Sequence, residues 1–180
     1  MLRSNKNCIG IFGGSFDPAH KGHVKISEES IKRLKLKILY WVITNKNPFK
    51  KKSLFDLNQR IKISKKLVKN NKIKVKYFEK IIKSSRTIDV IRYLKFKNKE
   101  SKIYLILGSD NLLCFHKWKK WKEIVKLSQI VVFSRKGFDL KAKKSVIVKF
   151  LNKKNIIYIK NAKTNISSTE IKKNYNYLDK

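Results

Sequence analysis

Apolar residues in this chain fall into short compact runs, and longer stretches with helical spacing separate them. Residues 8–12, Cys-Ile-Gly-Ile-Phe, are too few for a helix and read as a buried strand. Lys21–Leu34 carries Val24, Ile26, Ile31 and Leu34 among its apolar positions and predicts an amphipathic helix. Ile38–Ile43 predicts a second strand, followed by a polar loop through 44–53 that contains Pro48. The alternation continues with a helix over 57–68, a strand over 73–78 and a helix over 87–96. A compact apolar strand over 103–107 ends in Gly108-Ser109-Asp110. A helix over 118–127, a strand over 130–133, a helix around 142–151, a strand at Ile156–Ile159 and a last helix from Ser167 complete the pattern.

Strands separated by helical segments of this length imply crossover connections. The expected fold is α/β: a Rossmann-like, mainly parallel sheet with helices on both faces, as a single domain over residues 1–180. Such sheets bind ligands beyond the carboxyl ends of their strands. The segments 13–23, 44–50, 108–110 and 134–138 all fall there. No internal repeat and no linker interrupts the pattern.

The segment 13–23, Gly-Gly-Ser-Phe-Asp-Pro-Ala-His-Lys-Gly-His, joins the first strand to the first helix through a glycine turn. A strand–turn–helix junction gathers unpaired backbone N–H groups and the positive end of a helix dipole, which suits phosphate. Gly13 and Gly14 let the backbone approach a ligand closely, beside Ser15 and Phe16. His20 and His23 share one face of the first helical turn and donate hydrogen bonds to phosphate oxygens, with Gly22 leaving room between them. The spacing matches neither the GxGxxG dinucleotide fingerprint nor a Walker A loop. A metal pair lacks an evident third ligand, since His116 is the only other histidine. An ordinary capped helix with incidental histidines is the other alternative.

Composition narrows the setting. The formal net charge is +34, from 46 lysines and arginines against 12 acids. The lysines are scattered, and no basic motif interleaved with aromatics for base stacking is visible, so a dedicated nucleic-acid partner is not expected. The charge reads mainly as a solvated surface that also attracts anions. Cys8 and Cys114 form no CxxC or Cys/His cluster and read as reduced thiols. The first apolar run is too short for a secretory segment, and none is long enough to span a membrane. A cytoplasmic protein is expected.

The stretch Gly10-Ile11-Phe12-Gly13-Gly14-Ser15-Phe16-Asp17-Pro18-x-His20-x-Gly22-His23 resembles the signature of bacterial nicotinate-nucleotide adenylyltransferases, within the HxGH nucleotidylyltransferase superfamily. Ile166-Ser167-Ser168-Thr169-Glu170-Ile171-Lys172 is similar to that family's ISSTxIR segment. Three hydroxyl residues at a helix start with a cation one turn later would make a second anion cradle; alone, the stretch is an ordinary N-cap. Gly108-Ser109-Asp110 resembles the family's GxD, which implies a nucleotide against Gly108 and Asp110 on a ribose hydroxyl. Trp118 would stack on the pyridine ring, while Trp121 is assigned to the core. Asn47-Pro48-Phe49-Lys50 resembles a loop that closes over the nicotinate nucleotide. Thr87 and Asp89 match part of a Tyr-Thr-x-Asp-Thr element, and Arg135-x-Gly137-Phe138 an Arg-Pro-Gly-aromatic element. By the resemblance, Thr44, Lys50, Thr87, Trp118 and Arg135 frame the pyridine nucleotide. Arg60 is left open between a structural role and contact with this pocket. The chain departs from the family at Arg86 (usually tyrosine), Val90 (threonine), Lys136 (proline) and Lys172 (arginine).

The resemblance implies transfer of AMP from ATP to nicotinate mononucleotide, giving nicotinate adenine dinucleotide and pyrophosphate. The acceptor phosphate is already an anion, so no general base is needed, and catalysis rests on positioning and charge neutralisation. His20 and His23 would contact the transition state. Ser167, Ser168, Thr169 and Lys172 would hold the outer phosphates. Magnesium would bridge phosphate oxygens with few protein ligands, and Asp17 would fix the turn before Pro18 instead of binding metal. The alternatives are an adenylyltransferase for nicotinamide mononucleotide or phosphopantetheine, and a non-catalytic nucleotide- or RNA-binding module. The expected partners are these small molecules and no membrane, with oligomerisation left open.

Overall fold

A computed structural model describes residues 7–46, 53–135, 137–151 and 155–160. Six strands, β1 (Cys8–Gly14), β2 (Ile38–Ile43), β3 (Ile73–Lys76), β4 (Lys102–Gly108), β5 (Gln129–Phe133) and β6 (Ile156–Ile159), form one sheet in the order β3-β2-β1-β4-β5-β6. Every pairing is parallel. The helices are α1 (Lys21–Leu34), α2 (Leu57–Leu67), α3 (Glu79–Ile82), α4 (Thr87–Lys97), α5 (Ser109–Leu113), α6 (Trp121–Leu127), α7 (Asp139–Lys143) and α8 (Val146–Phe150).

Period-two alternation of apolar side chains builds a core on each face of this sheet. Leu39, Trp41 and Ile43 of β2, with Ile106 of β4 and Val131 of β5, pack against α1 and α2 through Ile31, Val24 and Ile61. Ile9 and Ile11 of β1, with Ile103, Leu105 and Leu107 of β4, pack against Ile91 of α4, Ile124 of α6 and Ile147 of α8. On that second face α4 and α6 are also clamped by a two-pronged Arg92–Glu123 pair at 2.7 and 2.8 Å. Gly10 leaves room for the apolar layer packed on β1: a Cβ there would lie 2.7 Å from Leu36 Cδ1 and 3.2 Å from Ile106 Cδ1.

The structure differs from the sequence pattern in five places. β1 runs through Gly13 and Gly14, which pair with Val42 and Ile43, so the turn begins at Ser15. β3 stops at Lys76, and the short helix α3 follows where a strand end was expected. Trp118 precedes α6: it ends a 3-10 turn over Phe115–Lys117, and a left-handed Lys120 separates it from the helix. Residues 142–151 do not form one helix, because extended backbone at Ser145 separates α7 from α8. α5 forms directly after Gly108. The helix expected from Ser167 lies outside the described residues.

The first crossover is tied to the sheet by one buried polar contact. Trp41 is fully buried, and its indole N–H donates to Ser27 Oγ of α1 at 2.6 Å, while Ser27 donates to His23 O. Ser27→Ala strands that indole N–H, and a loss of about 1–3 kcal/mol is expected. A drop in the urea midpoint checks this; an unchanged midpoint would show that the indole finds another acceptor.

Candidate active site

The site forms where β1, β2 and β4 end together. Gly13 is exposed, and a Cβ built on it would meet nothing within 4 Å, so the strand edge offers bare backbone to a ligand. Ser15 and Phe16 are buried behind it. Phe16 takes φ 47, a conformation costly for a bulky side chain. Packing holds it there: its ring stacks on Trp41 with centroids 4.8 Å apart and meets Phe12 edge-on at 5.7 Å.

His20 is the N-cap of α1, and the two histidines cap the helix reciprocally. Gly22 N–H donates to His20 Nδ1 at 3.1 Å, and His20 N–H donates to His23 Nδ1 at 3.2 Å. Each Nδ1 therefore accepts, and in the neutral ring the proton resides on Nε2. The caps thus make both imidazoles Nε2–H donors. Their centroids lie 3.8 Å apart, and His23 packs 4.9 Å from Phe16. Capping through Nδ1 leaves anion contact through Nε2–H compatible with it, so the two roles do not exclude each other.

Asp17 is 4% exposed, and its two oxygens accept from Leu54 N–H and Phe55 N–H at 2.9 Å. It anchors the segment entering α2, a reach beyond the turn it was expected to fix. Arg60, 1% exposed, donates to carbonyls of Ser15, Thr44, Asn45 and Phe55. It is structural support beneath the loops, outside the cavity lining.

A cavity of about 430 Å³ opens beside Gly13 and Gly14, between the two halves of the sheet. Ile11, Val42, Val90, Leu105 and Trp118 contribute apolar surface, and Thr44, Glu79, Arg86 and Thr87 contribute polar groups. Trp118 is half-buried and stacked on Phe115 at 4.9 Å, which fixes its plane. Glu79 is the residue that sequence reasoning passed over. Its Oε1 accepts from Thr44 Oγ1 at 2.6 Å and from Asn45 N–H at 3.0 Å, shaping the loop after β2. Asp89 bonds Ser84 Oγ and Arg92 and is absent from the lining.

Asp110 and Arg135 lie apart from that cavity. Arg135 Nη1 pairs with Asp110 Oδ2 at 2.6 Å, so the guanidinium expected on the pyridine side rests on the acid expected on a ribose. Asp110 Oδ1 is buried with no partner among the described residues, and a Cβ on Gly108 would collide with it. The missing side chain of Gly108 therefore makes room for the carboxylate itself. His116 sits in the 3-10 turn, remote from His20 and His23 in the chain. Among the described residues no three His, Cys, Asp or Glu gather to hold a metal ion. None of the described helices is long and apolar enough to cross a membrane. Lys50, Ser167, Ser168, Thr169 and Lys172 lie outside the described residues.

The matches to known proteins agree with one another. Residues 11–174 match the cytidylyltransferase-like family model. A protein of Pelagibacter ubique described as a probable nicotinate-nucleotide adenylyltransferase is 50% identical over 96% of this chain and 96% of its own length. A protein of Agrobacterium fabrum with the same description is 34% identical, covering 93% and 98%. The solved structure of Plasmodium falciparum nicotinic acid mononucleotide adenylyltransferase complexed with APC superposes with a TM-score of 0.73 at 23% identity, over 93% of this chain and 83% of that one.

The ends of β4 and β5 are joined through Asp139. Burial opposes its ionisation, but hydrogen bonds from Ser134, Ser109 and Arg135 N–H, with Lys143 nearby, outweigh it and hold the carboxyl below its ordinary range. A depressed folded-state value adds stability above the unfolded carboxylate range, lost as pH falls through the folded value. Asp139→Asn is therefore expected to lower Tm at neutral pH, with the deficit closing in acid. Melting curves across pH check this, and a deficit undiminished at low pH would contradict it. Sequence, sheet order and matched relatives converge: the chain belongs to the nicotinate-nucleotide adenylyltransferase family.

Proposed function

We propose that this chain transfers the adenylyl group of ATP, entering as its magnesium complex, to nicotinate mononucleotide. The products are nicotinate adenine dinucleotide and pyrophosphate. The observation that carries the reading is the pair of Nε2 donors fixed by the α1 cap, one short loop beyond the bare end of β1, whose Gly13 and Gly14 line a cavity of nucleotide dimensions. An acceptor phosphate oxygen attacks the α-phosphorus in line, and the bond to the pyrophosphate oxygen breaks. Negative charge on the α-phosphate and leaving group is met by His20 and His23, preorganised by backbone bonds they already make. No proton is removed from the nucleophile, which matches a site where both Nδ1 atoms are occupied as acceptors.

Trp118 supplies a fixed aromatic face for the pyridine ring, with Thr44 and Thr87 at the same cavity. The resemblance of Gly108-Ser109-Asp110 to GxD assigns Asp110 to a ribose hydroxyl of ATP, with the carboxylate oriented through the Oδ2 contact to Arg135. The acid is favoured over the amide by Arg86. It lines the cavity, and its guanidinium has no partner among the described residues. Glu79, the acid in the same lining, is engaged by Thr44 and Asn45.

Pyrophosphate release with ATP and each of nicotinate mononucleotide, nicotinamide mononucleotide and phosphopantetheine tests the assignment. Turnover with the first is expected, and His23→Ala is expected to lower kcat by about a hundredfold or more, the scale of a lost preorganised donor. Near-normal turnover by His23→Ala would sink the mechanism. Arg86→Gln is expected to reduce the acid-over-amide ratio of kcat/KM by about tenfold, one charge-assisted hydrogen bond, leaving the KM for ATP unchanged. Equal losses with both acceptors would place Arg86 on the phosphate instead.

A further inference from the structure

Arg60 is among the largest side chains fully buried in the protein, and it makes no ion pair among the described residues. Burying a guanidinium is expensive unless its donors are satisfied. Here carbonyls satisfy them: Nη1 donates to Ser15 O at 2.8 Å and Thr44 O at 2.7 Å, and Nη2 to Asn45 O at 3.0 Å. Nε donates to Phe55 O at 3.2 Å. Ser15 belongs to the loop after β1, and Thr44 and Asn45 to the loop after β2. One planar group thus fixes the spacing between the loop beside the histidines and the loop that borders the cavity. Each carbonyl also shares a peptide with the next N–H, that of Phe16, Asn45 or Lys46. Donation to the oxygen polarises the peptide and strengthens that N–H. At Asn45 the strengthened N–H is the one given to Glu79.

We propose that Arg60 is a positioning residue for adenylyl transfer, setting the ATP-side and acceptor-side loops in one register. This rests on the functional reading above. Lysine keeps the charge, but its single nitrogen cannot span carbonyls spread across a guanidinium fork. Arg60→Lys is therefore expected to raise the KM of both ATP and nicotinate mononucleotide and to lower kcat, by about tenfold or more for reactants held off their geometry. Ile103→Val, a core truncation at the opposite end of β4, is the control for destabilisation alone and is expected to lower Tm with both KM values intact. An Arg60→Lys variant with unchanged KM values and only a lower Tm would overturn the proposal, as would a rise confined to one substrate. Should that variant not fold, wild-type hydrogen exchange decides. A non-hydrolysable ATP analogue alone should slow exchange at 44–46 as well as at 15–16, and protection confined to 13–23 would overturn the coupling. Wild-type protein without turnover would defeat the functional reading, whereas active wild type with an indifferent Arg60→Lys defeats this inference alone.

Discussion

Everything at the site depends on β1 having β2 on one side and β4 on the other, all parallel. The chain leaves β1 toward β2 and β3, then returns to lay β4 against the opposite edge. Connections from the two halves must therefore diverge above the end of β1 and leave a crevice. Gly13 and Gly14 lie at its floor as paired strand residues, with ladder contacts to β2 holding them rigid. That rigidity matters more than the freedom glycine gives a turn. A ligand meets a surface whose position the whole sheet determines, and the histidines stand one short loop away on a helix capped by their own rings.

The chain takes nearly all its positive charge from lysine, so its six arginines stand out. Arg33 pairs with Glu29 on α1, Arg92 forks onto Glu123, Arg135 holds Asp110, and Arg60 spreads over four carbonyls. The Arg92 fork and the Arg60 spread are tasks for a planar, multiply donating group, which an ammonium performs poorly, whereas Arg33 and Arg135 each make a single contact to a carboxylate. Arg86 shares the geometry without a partner, and that contrast directs attention to what enters the cavity. Arg3 lies outside the described residues.

Most of the sheet was legible because both of its faces are buried, and compact apolar runs of four to seven residues have few other readings. α1, β2 and β6 appear with the limits the pattern predicts. Short helices were not legible. α3 is four residues long, with no periodicity to detect, yet it carries Glu79 to the loop after β2. The break at Ser145 was hidden because apolar spacing continues across it, and only the serine at a cap position hints at two helices. At the site, the histidine pair and glycines were readable from local order. The pairing of Arg135 with Asp110 was not, since it joins residues twenty-five apart through strand order. Arg60 had one visible signal, an arginine at a helix position where this chain would ordinarily place lysine.

The acids explain how so basic a chain supports a specific pocket. Only 12 are present, and those near the site are committed to internal acceptor roles. Asp17 holds two backbone N–H groups, Glu79 a hydroxyl and an N–H, Asp139 a serine and an N–H, and Asp110 gives one oxygen to Arg135. Spent this way, carboxylates shape loops without presenting free negative charge to an anionic substrate. A net charge of +34 attracts anions in general. Fixed short-range geometry resides in the paired imidazoles and the Trp118 face, and among the described residues the one guanidinium of the cavity lining is that of Arg86. Scattered charge and a precise site are therefore compatible: the field is undirected, while the geometry at the crevice is short-range and set by hydrogen bonds, stacking and the Arg86 guanidinium.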